Sequence, residues 1–88
     1  MTWRIDYSKD AHKFILKNKI SDDVSNELKK FLLRLKSIDV NIDLKKLSGD
    51  WDGYYRIRKG DIRIIFAVNK QEKALYVEKV DLRGRVYK

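Results

Sequence analysis

Hydrophobic and polar residues alternate through the C-terminal half of the chain. The stretch from Tyr54 to Phe66 reads YYRIRKGDIRIIF, in which apolar residues and arginines exchange places around one glycine. Because successive side chains of a strand point to opposite faces of a sheet, this pattern predicts a β-hairpin with strands at 54–58 and 61–68. A third strand is predicted at 75–81, after a turn at 69–73. The hairpin should therefore have one apolar face and one cationic face.

The N-terminal half predicts a short strand followed by two helices. Residues 3–7 alternate, and Ser8 is placed to cap a helix that ends near Lys19. Ser21 is a second N-cap candidate, with Asp22 and Asp23 behind it. Apolar residues then recur at helical spacing, at Val24, Leu28, Phe31, Leu32, Leu35 and Ile38. The two helices should form an antiparallel pair whose apolar sides rest on the sheet.

The pattern loosens between the second helix and the hairpin. In residues 39–52 we expect Leu44 and Leu47 to reach the core and Ser48-Gly49-Asp50 to form a turn. Residues 83–87 are expected to form a last short strand or an ordered tail. The order β-α-α-β-β-β(-β) indicates an α+β fold, with a helix pair on one side of a mostly antiparallel sheet. Residues 1–88 are expected to form one domain.

The hairpin register decides which cations meet. If Lys59-Gly60 is the two-residue turn, Arg56 lies directly opposite Arg63, with Cβ atoms about 5 Å apart. Asp61 would then offset Arg58, and no acid of the hairpin would offset the other two arginines. Two neighbouring arginines without an acid between them favour the binding of an anion from outside the protein. The alternatives are that acids elsewhere, such as Asp81 or Glu78, neutralise the pair, or that solvent screens it.

Composition bears on compartment and on partners. The chain has no cysteine, which excludes disulfides and cysteine-based zinc sites and favours a reducing compartment. It has no run of about 18–20 apolar residues and no N-terminal signal sequence, so a cytoplasmic protein without a membrane partner is expected. The net charge of +8 favours a polyanionic partner, although a lysine-rich solubility shell would give the same value.

Arginine and aromatic residues together favour RNA. The guanidinium fork binds phosphate through two parallel hydrogen bonds, and aromatic rings stack on unpaired bases. Tyr54 shares the predicted cationic face, Trp51 precedes it and Tyr87 lies in the tail. Trp51 could equally pack beneath a loop. The lone histidine, His12, is expected on the surface of the first helix.

Four segments together resemble the RelE toxins of the RelE/ParE toxin–antitoxin superfamily. They are LKKLSGDWDGYYRIR, GDIRIIFAV, LYVEKVDLRG and the terminal RVYK, and with the β-α-α start they extend the resemblance over essentially the whole chain. The most specific part is the trio of Arg63, Arg83 and Tyr87. The GYYRIR block is shared by RelE-like and ParE-like members and marks the superfamily alone.

The resemblance implies a RelE-like fold and an enzymatic activity. Toxins of this family cleave messenger RNA in the ribosomal A site, by attack of a ribose 2′-OH on the adjacent phosphate. The implied catalytic residues are Arg56, Arg58, Arg63, Arg83 and Tyr87. Further contacts to RNA are expected from Lys59, Tyr54 and Arg85. No cofactor is expected, and no metal either, because the aspartates are scattered and mostly lie next to lysines.

The sequence departs from the best-known RelE pattern at two positions. Those toxins carry lysines where this chain has Arg56 and Arg58, and arginine is a poor general base because it stays protonated. Tyr87, Lys59 or orientation of the 2′-OH by the ribosome remain as alternatives for that role.

The resemblance also implies partners. They are the ribosome, messenger RNA and an acidic, RelB-like antitoxin, for which Leu33 is a docking candidate because it lies off the main apolar stripe of its helix. Two other functions stay open at this point. One is a ParE-like toxin that inhibits DNA gyrase by binding, and the other is a module that binds RNA or the ribosome without catalysis.

Overall fold

A computed structural model describes residues 2–82 of the chain. The predictions for Arg83, Arg85, Tyr87 and a last strand at 83–87 lie outside the described residues. The elements are β1 (Arg4–Tyr7), α1 (Lys9–Asn18), α2 (Ser21–Leu35), β2 (Asp43–Lys46), β3 (Tyr54–Lys59), β4 (Ile62–Asn69) and β5 (Ala74–Leu82). The predicted α+β fold is confirmed.

The five strands form one mostly antiparallel sheet in the order β1-β5-β4-β3-β2. Only β1 and β5 run parallel. The chain can make this pairing because the two helices and three further strands separate β1 from β5, whereas parallel neighbours need a long crossover connection. Both edges of the sheet, β1 and β2, are strands of four residues.

The predicted start of α1 is confirmed, and the predicted cap of α2 is wrong. Ser8 Oγ accepts a hydrogen bond from the backbone N–H of Ala11 at 3.1 Å and donates one to the backbone oxygen of Glu78 at 2.7 Å. Ser8 thus caps the helix and ties it to β5. Ser21 is instead the first residue of α2, and the cap position is held by Ile20, which makes no side-chain cap hydrogen bond.

The segment before the hairpin contains a strand that the sequence pattern did not predict. β2 pairs with β3, with Leu44 opposite Ile57, and Leu44 packs against the core as expected. The predicted turn at Ser48-Gly49-Asp50 leads into a short 3₁₀ helix over Gly49–Trp51. Ile38 lies beyond the end of α2 and is 46% exposed, so it does not continue the apolar stripe of the helix.

The hairpin register differs from the predicted one by two residues. The loop is Gly60-Asp61, so that Lys59 pairs with Ile62 and Arg58 with Arg63. Gly60 has a φ of 57°, and glycine is favoured at the first of two loop positions when that residue must take a positive φ. Because the shift is an even number, the predicted division into apolar and cationic faces survives. The prediction that Arg56 lies opposite Arg63 is wrong, since Arg56 lies opposite Ile65.

The core lies between the apolar face of the sheet and the helix pair. At its centre Phe66 is fully buried, with its ring centroid 4.8 Å from that of Phe31 and 5.8 Å from that of Tyr55. The other fully buried large side chains are Leu28, Ile57, Ile64, Leu75, Val24 and Val77. Within residues 2–82, neither helix is long and apolar enough to cross a membrane.

Candidate nucleic-acid interface

Five basic residues share the sheet face opposite the buried core. The cross-strand pairs and the strand alternation put them on the same side, and we call this surface the cationic face, formed by Lys45, Arg56, Arg58, Arg63 and Lys79. On the opposite face the central side chains, Ile57, Ile64 and Val80, are buried, so the sheet itself separates the cations from the core. The face is therefore a consequence of the alternating pattern.

Two arginines at the centre of the cationic face are flanked by two acids. Successive cross-strand pairs place Asp43, Arg58, Arg63 and Asp81 in one row across β2, β3, β4 and β5. Arg58 Nε lies 3.6 Å from Asp43 Oδ2, and Arg63 Nε lies 3.3 Å from Asp81 Oδ1. Both acids therefore approach their arginine at Nε, and no residue between 2 and 82 hydrogen-bonds to the Nη atoms of either arginine.

Asp43 also neutralises a third arginine. Its Oδ1 accepts a hydrogen bond from Arg56 Nη2 at 3.2 Å, so one carboxylate bridges two guanidinium groups of the same strand. The side chain of Asp43 is 52% exposed and those of Arg58 and Arg63 are 37% and 38% exposed. Ion pairs at such positions contribute only about 0–1 kcal/mol, so an incoming anion can displace the carboxylate at small cost.

Arg56 retains a hydrogen-bond donor that the described residues do not satisfy. Its Nε is buried and has no partner among residues 2–82. A buried donor without an acceptor costs about 1–3 kcal/mol. Arg56 is also the least exposed of the three arginines, at 19%. Arg56 is therefore the arginine of the cationic face that is most shielded from solvent, and it keeps one donor for an acceptor from outside residues 2–82.

The expected local charge compensation is partly wrong. Asp61 makes no ion pair among the described residues, and Arg58 is neutralised by Asp43 instead. Asp81 does neutralise Arg63, as expected from the alternative in which acids outside the hairpin pair with the arginines. Glu78, the other acid in that alternative, contacts Tyr54. The row of charges therefore follows the observed register and the unpredicted strand β2.

Aromatic residues lie at one end of the cationic face. Tyr54 Oη donates a hydrogen bond to Glu78 Oε1 at 3.5 Å, and the rings of Tyr54 and Trp51 meet edge to face with centroids 5.2 Å apart. Loss of solvent and the Glu78 carboxylate raise the pKa of Tyr54 above its ordinary value. Tyr54 is therefore a protonated hydrogen-bond donor at neutral pH and is unsuited to act as a base.

The structure brings together only part of the predicted site. Arg56, Arg58, Arg63 and Tyr54 share the cationic face. Lys59 does not, because strand alternation puts it on the side of Ile57, opposite Ile62 at the end of the hairpin. Arg83, Arg85 and Tyr87 lie outside the described residues, and their roles stay predictions.

Sequence reasoning missed Asp43. A signal was present, because residues 42–45 read Ile-Asp-Leu-Lys and alternate with the period of a strand.

Residues 2–82 contain no group of three or more histidine, aspartate or glutamate side chains arranged to hold a metal ion.

Comparison with known proteins finds relatives of one kind. The chain is 28% identical over 88 residues to a protein of Methanocaldococcus jannaschii assigned as toxin RelE1, covering 93% of this chain and 96% of that protein. No family model matches the chain.

Solved structures agree in fold. A chain of the archaeal RelE–RelB complex from Pyrococcus horikoshii OT3 superposes with a TM-score of 0.62 at 29% identity, covering 97% of this chain and 99% of the other. YafQ from E. coli shares the fold, with a TM-score of 0.60 at 18% identity over 99% of this chain and 100% of the other. In both sequence and fold, the chain is therefore similar over nearly its whole length to RelE toxins.

Proposed function

We propose that the protein is the toxin of a type II toxin–antitoxin pair and that it cleaves messenger RNA on the ribosome. In the proposed reaction a ribose 2′-OH attacks the adjacent phosphate, leaving a 2′,3′-cyclic phosphate and a 5′-OH. The observation that carries the proposal is the pair Arg58 and Arg63, which lie side by side on the cationic face and contact acids of residues 2–82 through Nε. The RelE relatives support it.

The arginine pair suits phosphoryl transfer. Negative charge builds on the non-bridging phosphate oxygens in the transition state, and guanidinium groups that are already oriented stabilise it. Asp43 and Asp81 hold Nε of Arg58 and of Arg63, which leaves the Nη ends of both arginines to bind one phosphate. Arg56 and Arg83 complete the proposed catalytic arginines.

Tyr87 is the proposed proton carrier. Arginine cannot take this role because it is not deprotonated in proteins. Lys59 is supported less well, since strand alternation turns it away from the cationic face. Several cations around Tyr87 would favour its phenolate and lower its pKa, the reverse of the shift at Tyr54. Arg85 is a proposed contact to the RNA backbone.

The proposed protein partner is a RelB-like antitoxin. The relative from P. horikoshii was solved as a RelE–RelB complex. With a net charge of +8, the present chain would attract an acidic partner. Exposed apolar residues for docking occur at the C-terminal end of α2 and just beyond it, at Leu33, Leu35 and Ile38.

In vitro translation with mapping of RNA ends tests this function. Wild-type protein should cut messages within codons on ribosomes, and Arg63→Ala and Arg83→Ala should lower cleavage by a factor of about 100 or more, as for loss of a transition-state donor. Arg4→Ala is a matched control, because it removes an arginine that is paired to Asp6 on the edge strand. It should retain activity.

Three results would count against the proposal. Intact message on stalled ribosomes would indicate binding without catalysis. Intact message together with gyrase inhibition would indicate a ParE-like activity. Equal cleavage by wild type and both arginine variants would remove the arginines from the reaction.

A further inference from the structure

The surface charge changes sign beside the cationic face. A cavity of about 320 Å³ lies where β5 passes the first turns of α1, and its lining includes Asp10, Phe14, Trp51, Glu78 and Lys79. Two carboxylates and one ammonium group give it a net negative lining, in a chain whose overall charge is +8. A cavity with this charge does not suit a phosphate.

The walls of the cavity are suited to a flat ring. Trp51 is 37% exposed although it is a large apolar residue, and its indole is held by edge-to-face contact with Tyr54. Phe14 supplies a second aromatic side chain. The cavity volume lies at the lower end of the range of about 300–1,000 Å³ for small-molecule pockets. A single nucleobase fits such a space.

Glu78 is the polar group that would recognise a base by hydrogen bonding. Tyr54 donates a long hydrogen bond of 3.5 Å to Oε1, while no residue between 2 and 82 donates to Oε2. β5 has a bulge at this point, since the consecutive residues Ile65 and Phe66 of β4 pair with Lys79 and Val77. Glu78 is the residue left without a cross-strand partner. A bulge re-aims a side chain in this way.

We propose that this cavity, the Trp51–Glu78 pocket, binds one unpaired base of the RNA whose phosphate lies on the cationic face. Trp51 stacks on the base, and Glu78 Oε2 accepts a hydrogen bond from its exocyclic amine. The inference rests on the proposed function and adds a base preference to it. Adenine, cytosine and guanine carry such an amine, whereas uracil has carbonyl oxygens at its exocyclic positions and its one base-edge donor is the ring N3–H.

The distance between the pocket and the arginines is short enough for a single nucleotide to span. Lys79 lines the pocket and pairs with Ile65, which pairs in turn with Arg56. Neighbouring strands are about 4.8 Å apart, so β3 and β5 are separated by roughly 10 Å. A nucleotide with its phosphate on the arginines can therefore place its base in the pocket, with Lys79 between the two.

Direct binding tests the pocket without the ribosome. Fluorescein-labelled pentaribonucleotides that differ only at the central base (A, C, G, U or abasic) are titrated with the protein at low salt. The wild type should bind the three amine-bearing RNAs about tenfold more tightly than the uracil RNA. Trp51→Ala should weaken binding of all four bases at least fivefold, and Trp51→Phe should restore most of it.

Glu78→Gln separates base reading from general charge. Glutamine keeps the acceptor for Tyr54 and places an amide NH2, which is a donor, where Oε2 accepted from the base, so the discrimination against uracil should fall to within twofold. Asp61→Asn is the matched control, because it removes the same charge from an exposed loop position that makes no ion pair among residues 2–82. Asp61→Asn should bind all the RNAs more tightly by the same factor, and it should keep the preference for amine-bearing bases over uracil.

The outcomes also distinguish the two proposals. Equal binding of all bases by the wild type, or the same preference in Glu78→Gln as in Asp61→Asn, overturns the pocket and leaves cleavage unaffected. Lack of measurable binding to any of the RNAs at low salt also overturns it. A base preference without cleavage of ribosome-bound message supports the pocket while the proposed function fails.

Discussion

Replacing Asp43 should make the cationic face bind RNA more tightly. In the protein alone, the Asp43 carboxylate lies 3.2 Å from Arg56 Nη2 and 3.6 Å from Arg58 Nε, and it is 52% exposed. A phosphate bound by the same guanidinium groups would have to displace this carboxylate or tolerate it as a neighbour. Asp43→Asn keeps the shape of the side chain and removes its charge.

The size of the effect follows from two small terms. Two unit charges about 4 Å apart in water interact by about 1 kcal/mol, which is the repulsion that the bound phosphate no longer feels. If RNA instead displaces the carboxylate, it breaks an exposed ion pair that contributes up to about 1 kcal/mol. Because only one of the two terms applies in full, Asp43→Asn should bind RNA up to about fivefold more tightly. The free energy of unfolding should fall by less than about 1 kcal/mol.

Fluorescence anisotropy with a labelled single-stranded RNA measures the change over a series of salt concentrations. The plot of log K against log salt should steepen by about 0.7 for each further phosphate that the variant binds. Asp61→Asn removes the same charge close to the same arginines and should tighten binding by less. If Asp43→Asn binds RNA no better than Asp61→Asn, Asp43 does not compete with phosphate. Weaker binding would mean that losing the contact of Asp43 with Arg58 Nε outweighs the removal of a competing charge, which contradicts the predicted tightening.

Three further predictions concern stability. Phe66→Ala should lower the free energy of unfolding by about 3–5 kcal/mol in urea titrations, because the ring is fully buried against Phe31, whereas Leu16→Ala at a 60% exposed position should change it by less than about 0.5 kcal/mol. Gly60→Ala should cost about 1–2 kcal/mol through its φ of 57° alone, since a Cβ there meets no atom within 4 Å, and Gly60→Asn should cost less. Burial raises the pKa of Tyr7, so the unfolded chain loses that proton first and the free energy of unfolding should fall as the pH rises past about 10. Tyr7→Phe should make the fall shallower, and an unchanged slope would contradict the assignment to Tyr7.

Local patterns were enough to predict most elements of this fold. Alternation in the hairpin predicted which residues face the core, and Ser8 was recognised as a cap because its hydroxyl precedes a helical run. The cap of α2 was mistaken by one position, since Ser21 already lies inside the helix. A serine followed by acids suits a first turn as well as a cap, and only the backbone distinguishes them.

The candidate site was harder to predict because its parts come from different strands. The basic residues of β3 and β4 were found from the sequence, but their pairing depends on which two residues form the loop. The pattern allows any even shift, and the register was settled by the positive φ of Gly60 at the first loop position. Asp43 was missed because it lies on a four-residue edge strand that takes its place only by pairing with β3.

The amino-acid order by itself thus determined the sorting of side chains into a buried face and a cationic face, since period-two alternation is a local property of the chain. Tertiary structure decided which charges touch: Arg58 lies beside Arg63, Asp43 is shared by two arginines, and a bulge places Glu78 against Tyr54. These contacts join residues up to 24 positions apart. Their geometry depends on strand register and sheet order, which are fixed only when the whole sheet packs on its helices.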